Sequence, residues 1–317
     1  MSTNSGRESR VQTMREAEEG KATWAFEEEA EIAPRRSALR LLGGGRRYEA
    51  YLAWDERLFT VVVAKILRPD QVENPRAREE LAQEAIALQR LQHPVLPRCF
   101  DVVLEGEFPH LALELLEGPR LSTLIRRYGP LALEQVLPLA LQLCSALHYM
   151  GEEGMAHLDV KPKNVIMGAP PRLIDLSIAR TLQEARSTEG PIGTDAYMAP
   201  EQCGVEGAGE MGISADMWGL GVTLYESIAG TLPFPRGEGG GSPRERFPQL
   251  VLAPAPLPQE VPREVAGPVL SCLETRPEDR PTAADLAQVL QSLATALPRP
   301  QVLRKLVPRP RLGPLWR

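Results

Sequence analysis

The sequence predicts an α+β chain in which a small antiparallel sheet comes first and a larger, mainly helical part follows. Three observations lead there. Between Ser37 and Leu116, short β-prone runs alternate with glycine-rich or charged turns. Beyond Gly118, apolar residues recur at helical spacing instead. The 317 residues are 43% hydrophobic and 25% charged, a globular composition on the scale of two units of about 150 residues each.

Taken in order, residues 1–36 are charged and poor in apolar positions, so a flexible extension is expected there. Ser37–Leu42, Tyr48–Asp55 and Leu58–Leu67 read as strands. Pro75–Gln92 reads as a helix, because Ala77, Leu81, Ala85, Leu88 and Leu91 fall on one face. Two more strand-like runs follow, Cys99–Leu104 and His110–Leu116. Leu133–Glu153 is helical, with Pro138 predicting a late start or a kink because proline lacks a backbone donor. Ser214–Ala229 and Ala283–Leu297 are further helices, and Gly237–Ser242 is an exposed loop. Thirty prolines are about twice the usual ~5% share, and sixteen lie between Pro233 and Pro314, which predicts an irregular final quarter.

The net charge of −6 argues against a nucleic-acid binder. The sign is uneven: residues 298–317 hold Arg299, Arg304, Lys305, Arg309, Arg311 and Arg317 and no acid, leaving the rest at −12. This proline-rich tail is expected to be solvated, or to dock on an acidic partner or on the acidic body. Cys99, Cys144, Cys203 and Cys272 form no Cys-x-x-Cys pair and read as reduced thiols. With no apolar signal core and no run of about 20 apolar residues, a cytoplasmic chain without a membrane span is expected.

The segment that carries chemistry is His157-Leu-Asp-Val-Lys-Pro-Lys-Asn164, followed by Leu173-Ile-Asp-Leu-Ser177. Asp159 and Asn164 are five residues apart, and Asp175 lies eleven beyond Asn164. In these residues the chain resembles the catalytic loop and metal-binding segment of the protein kinase family, in its bacterial eukaryotic-like serine/threonine branch. Val61-Val-Val-Ala-Lys65 resembles the strand bearing the phosphate-pairing lysine, with Glu84 as its helix partner. Gly43-Gly44-Gly45-Arg46-Arg47-Tyr48 resembles the glycine-rich loop, and Glu114-Leu115-Leu116-Glu117-Gly118 the hinge between lobes, with Leu113 as gatekeeper. Gly193 to Glu201, Ser214 to Gly221 and Arg276 to Pro281 resemble the substrate-positioning segment, the central helix and the late arginine segment.

The resemblance covers residues 37–297 and implies a bilobal protein-kinase-like fold, with an N-lobe over 37–116 and a C-lobe over 117–297. It implies ATP and Mg²⁺ (or Mn²⁺) as cofactors and the Ser/Thr hydroxyls of proteins as acceptors. Asp159 would accept the hydroxyl proton, Lys161 would sit by the transferred phosphate, and Asn164 and Asp175 would hold metal. Lys65 with Glu84 would address the other phosphates, and Thr194 would help position the acceptor and Lys161. Gly43, Gly45, Ala50, Ala64, Lys65, Glu114, Leu116 and Ile166 would surround the nucleotide. Glu201 and Arg280 would form a buried ion pair.

Three departures stand out. Tyr48 replaces the loop's third glycine, Leu158 replaces the arginine before the catalytic aspartate, and Leu176-Ser177 replaces phenylalanine and glycine. Without that arginine, a phosphate on Thr181, Ser187, Thr188 or Thr194 cannot act through the usual contact, so weak dependence on loop phosphorylation is expected. Ser177, carrying a Cβ, is expected to hinder outward flipping of the Asp175 segment. The departures keep open a nucleotide-binding pseudokinase or scaffold. A small-molecule kinase is opposed by the Thr194–Glu201 and Arg280 segments.

Overall fold

The computed structural model describes residues 22–296. The basic tail therefore lies outside the described residues, as do residues 1–21. A six-stranded antiparallel sheet comes first: β1 (Glu31–Ala33), β2 (Arg36–Gly44), β3 (Tyr48–Asp55), β4 (Thr60–Leu67), β5 (Cys99–Val103) and β6 (His110–Glu114), in the order β1-β2-β3-β4-β6-β5. Along β3 a fully buried residue alternates strictly with a half-buried one, so the strand's two sides face opposite layers. One face buries Tyr51, Ala53, Val62, Ala64, Ile66 and Ala112 together.

On the other face lies α1 (Pro75–Arg90). Asn74 caps it, its side chain accepting the Arg76 and Ala77 N–H groups, and Pro75 supplies a first-turn residue that needs no donor. Replacing such a cap by alanine costs about 1 kcal/mol. The predicted stripe Ala77, Leu81, Ala85 and Leu88 is buried, which fixes the rotation of α1 and turns Glu84 inward.

The expectation of a flexible extension over residues 1–36 is corrected from residue 22 onward. Trp24 and Phe26 stack against one another and meet Phe108 edge-on, closing the outer face of the sheet. Trp24 Nε1 donates to Leu67 O at 2.7 Å, and Arg68 reaches Ala22 O, Gly45 O and Glu49. Two aromatic residues in a charged context were enough to bind the segment, because the sheet offered an apolar face to cover.

The second part is helical: α2 (Leu121–Tyr128), α3 (Leu133–Glu152), α4 (Leu182–Arg186), α5 (Ile213–Ala229), α6 (Pro243–Arg246), α7 (Arg263–Ser271) and α8 (Ala283–Ala296). Short pairs β7 (Met155–Ala156) with β10 (Arg180–Thr181), and β8 (Val165–Ile166) with β9 (Arg172–Leu173), hold the loops between α3 and α4. The expected late start at Pro138 does not occur, since α3 runs from Leu133 through it. Pro138 and Glu134, whose carbonyl loses a donor, are both exposed, so the missing bond falls on the solvent side of α3. The final quarter is also more regular than its prolines suggested, with α7 enclosing Pro268. Among the described residues no helix is long and apolar enough to cross a membrane, and all four cysteines are free.

A buried polar cluster joins four strands of the sheet. Arg36 donates to Asp55 (2.7 and 3.0 Å), to Asp101 (2.9 Å) and to His110 Nε2 (2.7 Å). His110 Nδ1 lies 2.6 Å from Phe108 O and so carries the ring proton. Burial lowers the His110 pKa, and the adjacent guanidinium adds to the effect. A neutral folded-state histidine contributes stability that is full above its unfolded pKa and is lost as pH falls below about 6.5. Burial likewise depresses His157, while Asp216, raised to about 7, works in the opposite sense. The expected result is therefore a difference between variants: between pH 6.5 and 5, the melting temperature of His110→Gln falls less steeply than that of the wild type.

Candidate active site

The site forms where the sheet meets the helical part. Lys65 is in β4 opposite Ala50 of β3 and Leu111 of β6, so its side chain faces α1. Its Nζ donates to both Glu84 oxygens (2.8 and 2.6 Å) and to Asp175 Oδ1 (2.9 Å). Burial alone would lower the Lys65 pKa, but the Asp175 and Glu84 carboxylates override it and hold the pKa above the ordinary lysine range. Lys65 in turn holds the Asp175 carboxyl well below the usual carboxylate range, and the Ser177 side chain also favours its charged form. Glu84 is pushed up by burial against the pull of Lys65.

Asp175 adopts φ +70°, while Ser177 does not share the left-handed region. The left-handed backbone of this segment thus falls on Asp175, and Ser177 keeps a conformation open to any residue with a Cβ. Leu176 is fully buried in the helical core and anchors the segment.

The second cluster belongs to the loop from His157 to Asn164. Lys161 Nζ pairs with Asp159 and donates to Thr194 Oγ1 at 2.6 Å. The Thr194 hydroxyl donates to Asp159 Oδ1 at 2.7 Å, and the Asn164 amide nitrogen reaches Asp159 Oδ2 and its carbonyl, each at 3.0 Å. Every residue proposed for this cluster from the sequence is therefore in contact with its neighbours.

Helix α5 carries this loop. Asp216 accepts the His157 and Leu158 N–H groups at 2.7 Å each. Gly219 lies directly beneath Val160, where a Cβ would sit 2.9 Å from the Val160 carbonyl, so only glycine allows the close approach. Leu158 has φ +63° and is buried among Ala156, Ala185, Ala199 and Trp218, with Leu182 and Ile192 at the edge. The residue standing in place of arginine thus belongs to an apolar cluster that also takes in Ala185 of α4 and Ile192 before Gly193.

Around the nucleotide positions one assignment is corrected. Ala64 lies opposite Tyr51 and Ala112 and is buried in the outer apolar face, away from Lys65. Val63, opposite Leu113 and two residues before Lys65, turns away from that buried face, and half-buried Ala50 lies opposite Lys65 itself. The period of two along a strand dictates this, and counting back from Lys65 would have found Val63. Leu116 lies just past the end of β6 and Ile166 in β8, both half-buried. Glu114 pairs with Arg172 at 3.0 and 3.1 Å. A Cβ at Gly43 or Gly45 would meet nothing within 4 Å, so both border open space, whereas Gly44 is crowded by Tyr48 O.

The donor set suits a small hard cation. Asn164 and Asp175 offer one amide oxygen and one carboxylate, which fits Mg²⁺, an ion that binds few protein ligands and keeps water and phosphate oxygens. Asp175 remains open on one side, its side chain 38% exposed.

Below the site, Arg280 makes a two-pronged pair with Glu201 (2.6 and 2.9 Å), and both side chains are sealed from solvent. Its other donors go to the carbonyls of Ser214, Glu274 and Thr275, so all five are used.

Residues 36–291 match the protein kinase domain, and the chain belongs to that family. It is similar to the serine/threonine-protein kinase PkaA of Streptomyces coelicolor, with 33% identity over 74% of this chain and 44% of that protein. Serine/threonine-protein kinase A of Synechocystis is 31% identical over 80% of this chain and 52% of its own length. PknB of Mycobacterium leprae is 30% identical over 78% and 41%. The chain thus spans about half the length, or less, of these relatives.

The Arg280–Glu201 geometry sets an expectation for stability. Arg280→Met leaves a buried carboxylate unpaired and should cost about 3–5 kcal/mol in urea denaturation. Adding Glu201→Leu should recover part of that loss.

Proposed function

We propose that this chain transfers the γ-phosphoryl group of ATP to serine or threonine hydroxyls of protein substrates. The observation that carries the reading is the simultaneous pairing of Lys65 with Glu84 and Asp175, which joins both parts of the molecule in the arrangement the reaction requires.

Asp159 acts as the base. Its Oδ1 accepts the Thr194 hydroxyl at 2.7 Å, so this oxygen already meets the kind of donor an acceptor serine or threonine presents. As the substrate oxygen bonds to phosphorus and the bond to ADP breaks, the hydroxyl proton passes to that carboxylate. Lys161 brings positive charge beside the same carboxylate and the Thr194 oxygen, where charge on the transferred group would otherwise be unopposed. Asn164 holds Asp159 from the other side and, with Asp175, would bind the metal. When bound, Mg²⁺ or Mn²⁺ would neutralise phosphate charge and fix the phosphate chain. Lys65 orients the remaining phosphates as a point charge. Ala50, Val63, Leu116 and Ile166 supply apolar surface for the base.

Loop phosphorylation has little to add. Leu158 shares an apolar cluster with Ala185 of α4, and Thr181 caps α4 through a reciprocal pair with Glu184. Capping by Thr181 and burial of Ala185 hold α4 in place, with no phosphate-binding arginine at position 158.

Asp159→Asn should abolish radiolabelled phosphate transfer from ATP with Mg²⁺ while leaving nucleotide binding intact. Equal transfer by both proteins would refute the assignment. Phosphatase treatment of the wild type should leave its rate within about twofold, because order in the segment does not depend on a phosphate. Loss of activity on treatment would show that it does.

A further inference from the structure

Tyr48 occupies a position where the family's pattern has glycine, and its surroundings assign it work. It opens β3 opposite Leu67 of β4, and Ala50, two residues on, lies opposite Lys65. Tyr48 and Lys65 are therefore diagonal neighbours on one face of the sheet, within reach of an aromatic ring. Because the intervening residue is alanine, the ring has room to lean across. The Lys65 Nζ lies 4.7 Å from the centre of the Tyr48 ring, within the range of cation–π attraction. The phenol oxygen donates to Ala77 O in the first turn of α1 at 3.3 Å. Beside it, Arg47 pairs with Glu80 one turn further along the same helix.

We propose that Tyr48 is a positioning residue for Lys65: its ring lies against one side of the ammonium, beside the Glu84 and Asp175 carboxylates, and its hydroxyl ties the glycine-rich turn to α1. The proposal deepens the kinase reading and rests on it. A glycine here would leave that side of the ammonium without the ring, and the glycine-rich turn would lose its hydroxyl link to α1, whose apolar face would still pack on the sheet. With the ring in place the lysine and Glu84 are held in register in the free protein, so phosphate meets an oriented cation at lower entropic cost. Burial also drives the Tyr48 pKa well above its ordinary value, so the ring stays an uncharged phenol beside the carboxylates.

The test compares wild type with Tyr48→Gly, which restores the family's glycine, and Tyr48→Phe, which keeps the ring. Binding of ADP with Mg²⁺ and of adenosine is measured by calorimetry, and the KM for ATP by phosphate transfer. Lys65 addresses phosphate only. Tyr48→Gly should therefore weaken ADP binding and raise the ATP KM about tenfold, with adenosine affinity nearly unchanged. Tyr48→Phe should remain close to wild type. Tighter or unchanged ADP binding in Tyr48→Gly, or equal losses for ADP and adenosine, would overturn the role. Should Tyr48→Gly fail to fold, Tyr48→Leu gives the same readout, since it keeps apolar bulk without a π face. A selective ADP loss there supports the role, and its absence overturns it. A wild type that binds neither ligand would instead remove the kinase reading, and this proposal with it.

Discussion

A single ammonium, Lys65, holds the two parts of this molecule in register. It reaches Glu84 on α1 and Asp175 on the loop after β9, and Glu84 is almost wholly buried. A buried carboxylate without a partner is expensive, so the strand, the helix and the loop must all be in place at once. The surrounding sequence serves that requirement. Asn74 and Pro75 start α1 at the right residue, the Leu81–Leu88 stripe sets its rotation, and Leu176 anchors the peptide beside Asp175. The cluster also makes the site electrostatically asymmetric: one cation faces two carboxylates, and the more exposed carboxylate is the one suited to a metal ion.

The helical part solves a different problem, which is to hold a polar loop rigidly without covering it. Helix α5 does so with backbone contacts. Asp216 receives two N–H groups from the loop, and Gly219 lets the loop rest on the helix without an intervening side chain. The Asp159, Lys161, Asn164 and Thr194 cluster then hangs over a largely buried support, whose Ser214 carbonyl accepts from Arg280, the partner of Glu201. Rigidity beneath and openness above is the arrangement phosphoryl transfer needs, because the reaction depends on positioned charge.

Most of the architecture was legible from local pattern. The strand and helix boundaries of the sheet part lie within a few residues of their predicted places, the loop spacings singled out Asp159, Asn164 and Asp175, and the family resemblance supplied Lys65, Glu84, Lys161 and Thr194. The failures share a cause. Ala64 was placed at the nucleotide although alternation from Lys65 turns it to the opposite face. Residues 22–36 were read as an extension although Trp24 and Phe26 had an apolar face to cover. Pro138 was expected to delay or kink its helix and the proline-rich final quarter to be irregular, although α3 starts at Leu133 and α7 encloses Pro268. Residue type was weighed at each place without the face it occupies: Ala64 lies on the buried side of β4, Trp24 and Phe26 on an open apolar face, and Pro138 on the exposed side of α3.

The sequence by itself determined the order of elements, the class of chemistry and the identity of the charged residues, because spacing along a chain is a local property. It also marked Tyr48, Leu158 and Ser177 as departures, and it left their meaning open. Only the tertiary structure decided that. Tyr48 leans on Lys65 because β-sheet register makes them diagonal neighbours, and Leu158 is buried in a cluster with Ala185 of α4 because the loop crosses α5 at that point. The left-handed backbone falls at Asp175, two residues before the serine that replaces glycine. Contacts between residues far apart in sequence depend on which faces are brought together, and that follows from burial summed over the whole fold.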